Sequence, residues 1–199
     1  MELSPRFSQA LTFANDLHVT QKRKGSHTPY ISHLMTVCSL VLEYGGDEDC
    51  AIAALLHDAV EDQGGAATRE QIRFHFGQRV TTLVDECTES DQTPKPPWRE
   101  RKEAYLAHIP QMSDEVALIS TADKIHNARS ILRDYQTLGE DIWNRFRGGK
   151  EGTLWYYRSL VNAFRKRKVT PIVEELTEVV HELERISKIA IVSTKNASN

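Results

Sequence analysis

Within six positions of an otherwise apolar stretch, Leu55-Leu56-His57-Asp58-Ala59-Val60-Glu61-Asp62, stand four side chains of the kinds that bind metal ions and move protons. An adjacent histidine and aspartate can offer one imidazole nitrogen and one carboxylate oxygen to the same ion. A mixed set of this kind suits Mn²⁺, Fe²⁺ or Zn²⁺ better than Ca²⁺ or Mg²⁺. On a helix, His57 stacks one turn below Glu61, and Asp58 one turn below Asp62. Glu61 and Asp62 then lie near the ion without binding it. Taken alone, such a pair is more often a cap or a salt bridge near a helix end. Two further segments change that balance. Pro29-Tyr30-Ile31-Ser32-His33 puts a histidine at the start of a helix, and Ala122-Asp123-Lys124-Ile125-His126-Asn127 puts an aspartate inside an otherwise apolar one. An ionised carboxylate in that setting needs a metal or another cation as partner.

The elements that must position these residues read as helices nearly throughout. Apolar residues at three- and four-residue steps predict helices over about 5–21, 32–44 and 47–62, the last capped by Asp47. Thr68 with Gln71 suggests a capping box for a short helix to residue 76, and Gly77 separates it from a second face beginning at Val80. Helices follow over about 98–109, from Ser113 through Leu132, over 141–146, 151–168 and 171–190. Residues 21–30 are a polar, basic loop punctuated by Gly25 and Pro29, and 89–97 is a proline-rich loop. No repeat or strand hairpin is evident. The expected fold is therefore all-α, an irregular helical bundle. Its expected divisions are 1–170 as the main domain, 171–190 as an amphipathic helix packed on that domain or on a partner subunit, and 191–199 as a disordered tail.

Composition narrows the function. The chain has 199 residues, 40% apolar and 27% charged, and a net charge of −3 from 25 basic and 28 acidic side chains. That size supports a self-sufficient core, and the charge lacks the basic excess of a general nucleic-acid binder. No apolar run approaches the ~20 residues that cross a bilayer, and the first residues lack a secretory layout. Cys38, Cys50 and Cys87 fit neither a disulfide framework nor a zinc knuckle, so a reducing cytoplasm is the expected compartment.

His33, His57, Asp58 and Asp123 together form an H…HD…D constellation, and with it the chain resembles the HD phosphohydrolase superfamily. More narrowly it looks like the (p)ppGpp hydrolase domain of RelA/SpoT proteins in the form of a free-standing small alarmone hydrolase. The motifs are RKGSHTPYISH from Arg23, ALLHDAVED from Ala54, FGQRV from Phe76, ADKIHNARSI from Ala122 and KEGTLWYYRSL from Lys150. The resemblance implies that His33, His57, Asp58 and Asp123 bind one Mn²⁺. It implies that Glu61 and Asp62 handle the attacking water and its protons. Arg23, Lys24 and Asn127 match nucleotide contacts, Ser130 stands at another where many relatives have threonine, and either Tyr156 or Tyr157 matches a substrate-pocket tyrosine. The implied reaction removes the 3′-pyrophosphate of guanosine alarmones, giving GDP or GTP. Beyond the hydrolase-like region, few residues are left for a synthetase domain.

Two alternatives stay open at this point. The same site can act on adenosine alarmones or on the 2′-phosphate of NADPH, and a non-catalytic alarmone-binding module can carry the same motifs. The expected partners are a small nucleotide and, through the last helix, a second subunit as homodimer; neither nucleic acid nor membrane is expected. His18, His75, His108 and His181 lack any partner pattern and read as exposed or satisfied histidines. His126 reads as a fold-supporting residue, and His27 as a phosphate contact at most.

Overall fold

The computed structural model describes residues 2–89, 94 and 96–196, with 189–196 as helix backbone only. Among these residues the structure is helical apart from turns and one isolated antiparallel bridge, Lys22 with Pro29, as the all-α expectation requires. The chain groups into two compact units, Met1–Pro97 with Gln111–Asp123, and Trp98–Pro110 with Lys124–Asn199.

The first unit is built around a short central helix. It holds α1 (Pro5–Leu17), α2 (Ile31–Glu43), α3 (Glu48–Leu56), α4 (Ala59–Asp62), α5 (Ala66–Cys87) and the start of α7 (Asp114–Leu138). Every residue of α3 from Cys50 to Leu56 is buried, and α1, α2 and α5 pack around it. A helix surrounded in this way has to be apolar on all sides, and its polar residues can emerge only at its ends. Asp47 supplies the N-terminal cap, its carboxylate accepting the Cys50 N–H at 2.9 Å. The turn from α2 into α3 needs Gly46, because a Cβ there would lie 2.5 Å from Val41 Cγ1.

The chain departs from the predicted continuous helix over 47–62. α3 ends at Leu56 and α4 begins at Ala59, with His57 and Asp58 between them. Asp58 has φ −98° and ψ −3°, in the sparsely allowed bridge region. The break has a consequence for geometry. Neighbouring side chains on a straight helix diverge by roughly 100°, whereas here His57 Nε2 and Asp58 Oδ2 come within 3.1 Å of each other. The ladder resumes at once, Asp62 N–H donating to the Asp58 carbonyl at 2.9 Å.

α5 also differs in detail from the sequence expectation. It starts at Ala66 after Gly65, and the Thr68 hydroxyl donates to the Gln63 carbonyl instead of closing a capping box with Gln71. The expected break at Gly77 is present as a kink, with φ 87° and ψ 173°. The carbonyls it releases are recovered: Phe76 O accepts from Arg6 Nη2 at 2.9 Å, and Gly77 O from Thr81 Oγ1 at 2.9 Å.

The second unit contains α6 (Trp98–His108), the rest of α7, a 3₁₀ turn (Gly139–Arg145), α8 (Gly149–Arg167) and α9 (Pro171–Asn196). α9 packs on α8 and buries Ile172, Val173, Leu176, Val180 and Leu183. Its apolar face is thus taken up within the chain, which leaves the subunit-interface alternative without that support. α9 continues to Asn196 instead of ending near residue 190, so the tail expected from 191 is helical that far; 197–199 lie outside the described residues, as do 90–93 and 95 of the expected loop.

Gly77 occupies a backbone region that is essentially closed to other residues. Gly77→Ala is expected to lower folding stability by about 1–3 kcal/mol, measured as a shift in the urea unfolding midpoint at unchanged slope.

Candidate metal centre

Three chain segments meet at the end of α3. His33 lies in the first turn of α2, His57 and Asp58 in the α3–α4 break, and Asp123 on α7. His33 and His57 come together because α2 and α3 are antiparallel neighbours, and their ring centroids are 5.2 Å apart. His33 Nε2 lies 3.5 Å from Asp58 Oδ2 and 3.2 Å from Asp123 Oδ1. His57 Nε2 lies 3.1 Å from Asp58 Oδ2 and 3.7 Å from Asp123 Oδ1. One ligand atom each from His33, His57 and Asp58 falls within 4.8 Å of the others. The four residues that the sequence singled out as a constellation thus converge within the first unit.

The donor set fits a divalent cation. His57 Nδ1 is 2.8 Å from the Ala54 carbonyl, so that nitrogen carries the proton and donates it to the backbone. This is the usual device for aiming the other ring nitrogen at a metal. That other nitrogen, Nε2, is buried and faces the Asp58 and Asp123 carboxylates at 3.1 and 3.7 Å without hydrogen-bond geometry to either. A buried polar atom left in that state is costly, and an ion bridging it to the two carboxylates would remove the cost. Burial acts against charge on both members of the His57–Asp58 pair, but their mutual attraction prevails. His57, beside Asp58 and Asp123, is held well above the ordinary histidine range, and Asp58 well below the ordinary carboxylate range. A second acidic group, Asp47, Cys50 and Glu115, is already served by a cation: Arg79 pairs with Asp47 at 2.7 Å and Glu115 at 2.6 Å.

Glu61 and Asp62 follow on α4. The Glu89 N–H donates to Glu61 Oε2 at 3.3 Å, and Gln21 Nε2 donates to Asp62 Oδ2 at 2.9 Å. Arg23 lies over the Tyr30 ring, 5.6 Å from its centroid, while Lys24 is exposed. Tyr30 itself donates to Asp58 Oδ2 at 2.6 Å. Burial and the charge of Asp58 push its phenol far above the ordinary tyrosine range.

Asn127, Ser130, Tyr156 and Tyr157 belong to the second unit. Ser130 Oγ donates to the His126 carbonyl at 2.9 Å. Tyr156 and Tyr157 are both buried on α8, and the Lys102 ammonium sits 4.6 Å from the Tyr156 centroid.

The sequence reading missed three residues around this centre: His18, Gln21 and Tyr30. His18 was set aside as exposed or satisfied. It is 2% exposed, with Nδ1 on Gln21 Oε1 at 2.6 Å and Nε2 buried without a partner. Burial lowers its pKa, keeping it neutral. The available signal was their place inside or just ahead of the motif that runs to His33.

A family model described as HD domain matches residues 10–154. The chain is 41% identical over 128 residues to guanosine-3′,5′-bis(diphosphate) 3′-pyrophosphohydrolase MESH1 of Xenopus tropicalis, a match covering 63% of this chain and 69% of that protein. The protein of the same description in Homo sapiens is 37% identical over 128 residues, with the same coverage of 63% and 69%. Among solved structures, a metazoan orthologue of SpoT that hydrolyses ppGpp superposes with a TM-score of 0.76 at 27% identity, covering 92% of this chain and 97% of that one.

Removing either carboxylate leaves the two histidines with half of their anionic partners. Asp58→Ala and Asp123→Ala are each expected to weaken divalent-cation binding by about 100-fold or more, followed by electron paramagnetic resonance titration with Mn²⁺ as the probe, with helical circular dichroism retained.

Proposed function

The chain belongs to the HD domain family, and on that premise we propose that it is a metal-dependent hydrolase that removes the 3′-pyrophosphate of guanosine alarmones. The observation that carries this reading is the meeting of two imidazole nitrogens and two carboxylates at one point. The names of its relatives in Xenopus tropicalis and Homo sapiens supply the substrate class.

In this proposal His33, His57, Asp58 and Asp123 hold one divalent ion, and we propose Mn²⁺ from the mixed nitrogen/oxygen donor set. Such an ion lowers the pKa of water and offsets charge on phosphate oxygens. The chain's own residues do the rest. Glu61 orients the attacking water, and Asp62 takes its proton. The water oxygen bonds to the phosphorus attached to the ribose 3′ oxygen, and the bond from phosphorus to that oxygen breaks. The ribose oxygen picks up a proton, so ppGpp yields GDP and pyrophosphate, and pppGpp yields GTP and pyrophosphate. Arg23 and Lys24 are our proposed counter-charges for the phosphates. For Asn127, Ser130, Tyr156 and Tyr157 as nucleotide contacts, the support is the match of their motifs.

Among the described residues no helix is long and apolar enough to cross a membrane. Among the described residues Cys38, Cys50 and Cys87 form no disulfide, which suits the reducing cytoplasm that we propose as the compartment.

With Mn²⁺ present, the purified protein is expected to release pyrophosphate from ppGpp and pppGpp, with GDP and GTP identified by chromatography. Adenosine alarmones and NADPH run alongside; faster turnover of NADPH than of ppGpp would overturn the guanosine assignment, and tight binding of ppGpp without cleavage would favour a binding module. Glu61→Gln is expected to keep Mn²⁺ affinity near the wild-type value while turnover falls by about 100-fold or more, the scale of losing a positioned acid or base. A variant that turns over normally would remove Glu61 from the mechanism.

A further inference from the structure

The segment that carries Arg23 and Lys24 is a short hairpin with a closed base. The Tyr30 N–H donates to the Gln21 carbonyl at 3.0 Å, and the Arg23 N–H donates to the Thr28 carbonyl at 2.9 Å. The two residues at this base each aim a side-chain donor at a carboxylate. Tyr30 Oη donates to Asp58 Oδ2 at 2.6 Å, and Gln21 Nε2 donates to Asp62 Oδ2 at 2.9 Å. The two acceptors stand one helical turn apart, Asp58 in the α3–α4 break and Asp62 at the end of α4, joined by the Asp62 N–H to Asp58 carbonyl bond of 2.9 Å. A pair of donors across the hairpin base therefore matches a pair of acceptors along the helix.

Both donors are locked in orientation. His18 Nδ1 lies 2.6 Å from Gln21 Oε1, and Gln63 Nε2 donates to the same oxygen. With its oxygen so engaged, the Gln21 amide has to turn its nitrogen towards Asp62. The His18 ring stacks on the Tyr30 ring, with centroids 5.2 Å apart and planes 17° from parallel. The Arg23 guanidinium also lies over the Tyr30 ring, 5.6 Å from its centroid. The oxygen that Tyr30 addresses is the one facing both imidazole Nε2 atoms, at 3.5 Å from His33 and 3.1 Å from His57.

We propose that Gln21 and Tyr30 are positioning residues that aim the Asp62 and Asp58 carboxylates from the base of the Arg23–Lys24 hairpin. This rests on the hydrolase reading of the metal centre. The final torsion of an aspartate is broad, so a carboxylate without such a donor samples orientations in which neither oxygen faces the imidazoles. The Tyr30 hydroxyl occupies one lone pair of Asp58 Oδ2 and leaves the other for a cation. The Gln21 amide holds Asp62 by one oxygen and so fixes the direction of the other. Because the same hairpin carries the phosphate-facing cations, the position of the nucleotide's charge and the aim of the two carboxylates are set by one element.

The two residues predict separable signatures. Tyr30→Phe keeps both ring contacts and removes one hydroxyl. It is expected to weaken Mn²⁺ binding by about 10–100-fold, read by paramagnetic resonance titration without any nucleotide, and to recover wild-type kcat at saturating Mn²⁺. Gln21→Leu is expected to leave Mn²⁺ affinity unchanged while kcat on ppGpp falls by about 10–100-fold with little change in KM. Wild-type Mn²⁺ affinity in Tyr30→Phe, or wild-type kcat in Gln21→Leu, would overturn the proposal. So would joint loss of metal binding and turnover in each variant with earlier thermal unfolding, since that marks residues that only support the fold. Wild-type protein assayed in parallel separates the two levels: if it fails to cleave ppGpp, the substrate assignment fails, while the nucleotide-free titration of Tyr30→Phe still decides the role of Tyr30.

Discussion

Two buried imidazoles face two carboxylates across gaps of 3.1–3.7 Å, and the first unit is arranged to make that tolerable. Charged groups taken out of water are costly unless each is paired in good geometry. The chain meets this condition by placing His33, His57 and Asp58 at helix ends and bringing Asp123 to them from within α7. α3 is apolar on every side and closely surrounded, so polar atoms emerge only where it stops. Its antiparallel neighbour α2 brings His33 to the same place from its own first turn, and α7 adds Asp123. The cluster is thus fed by three segments, two of them from helix ends and the third from the interior of α7.

The break between α3 and α4 is the local device that makes the cluster chemically competent. Bridge-region torsions at Asp58 bring adjacent His57 and Asp58 to one point, while the resumed helix keeps Asp62 one turn beyond. The Ala54 carbonyl then fixes the His57 tautomer. Together these two backbone features decide which ring nitrogen and which carboxylate oxygen face the centre. The hairpin over 21–30 adds side-chain donors to Asp58 and Asp62. Metal-binding carboxylates in general depend on such outer hydrogen bonds for orientation, and here Tyr30 supplies one to Asp58 while Gln21 supplies one to the neighbouring Asp62.

The kink at Gly77 shows how the outer helices accommodate this core. α5 has to pack on both α3 and α4, and a straight helix of its 22 residues would be a rigid rod of about 33 Å. The kink lets its two halves take different directions. Arg6 and Thr81 absorb the carbonyls that the kink exposes. Beyond its C-terminal end, the Glu89 N–H reaches Glu61.

Much of the architecture was legible in the sequence. Helical periodicity, the glycine stops and the Asp47 and Ser113 caps are local, and local rules located most of the helices within a few residues. The residue types of the metal centre were legible for a similar reason. A histidine and an aspartate adjacent at the end of an apolar run, and an aspartate inside another, are costly choices without a cation, and composition alone displays that cost. What tertiary structure decided was everything that depends on approach between distant segments. The helix break at His57-Asp58 carries no glycine or proline to announce it, so periodicity read straight through it. His18, Gln21 and Tyr30 are ordinary as residue types; their contacts appear only when the hairpin folds back, where Gln21 and Tyr30 reach Asp62 and Asp58 and His18 packs against both donors. α9 showed an amphipathic face whose owner could not be named until α8 was seen to cover it. Spacing reports which side chains share a face of one element, because helical geometry is repetitive; it cannot report which faces meet, because that is settled by packing between elements far apart in the chain.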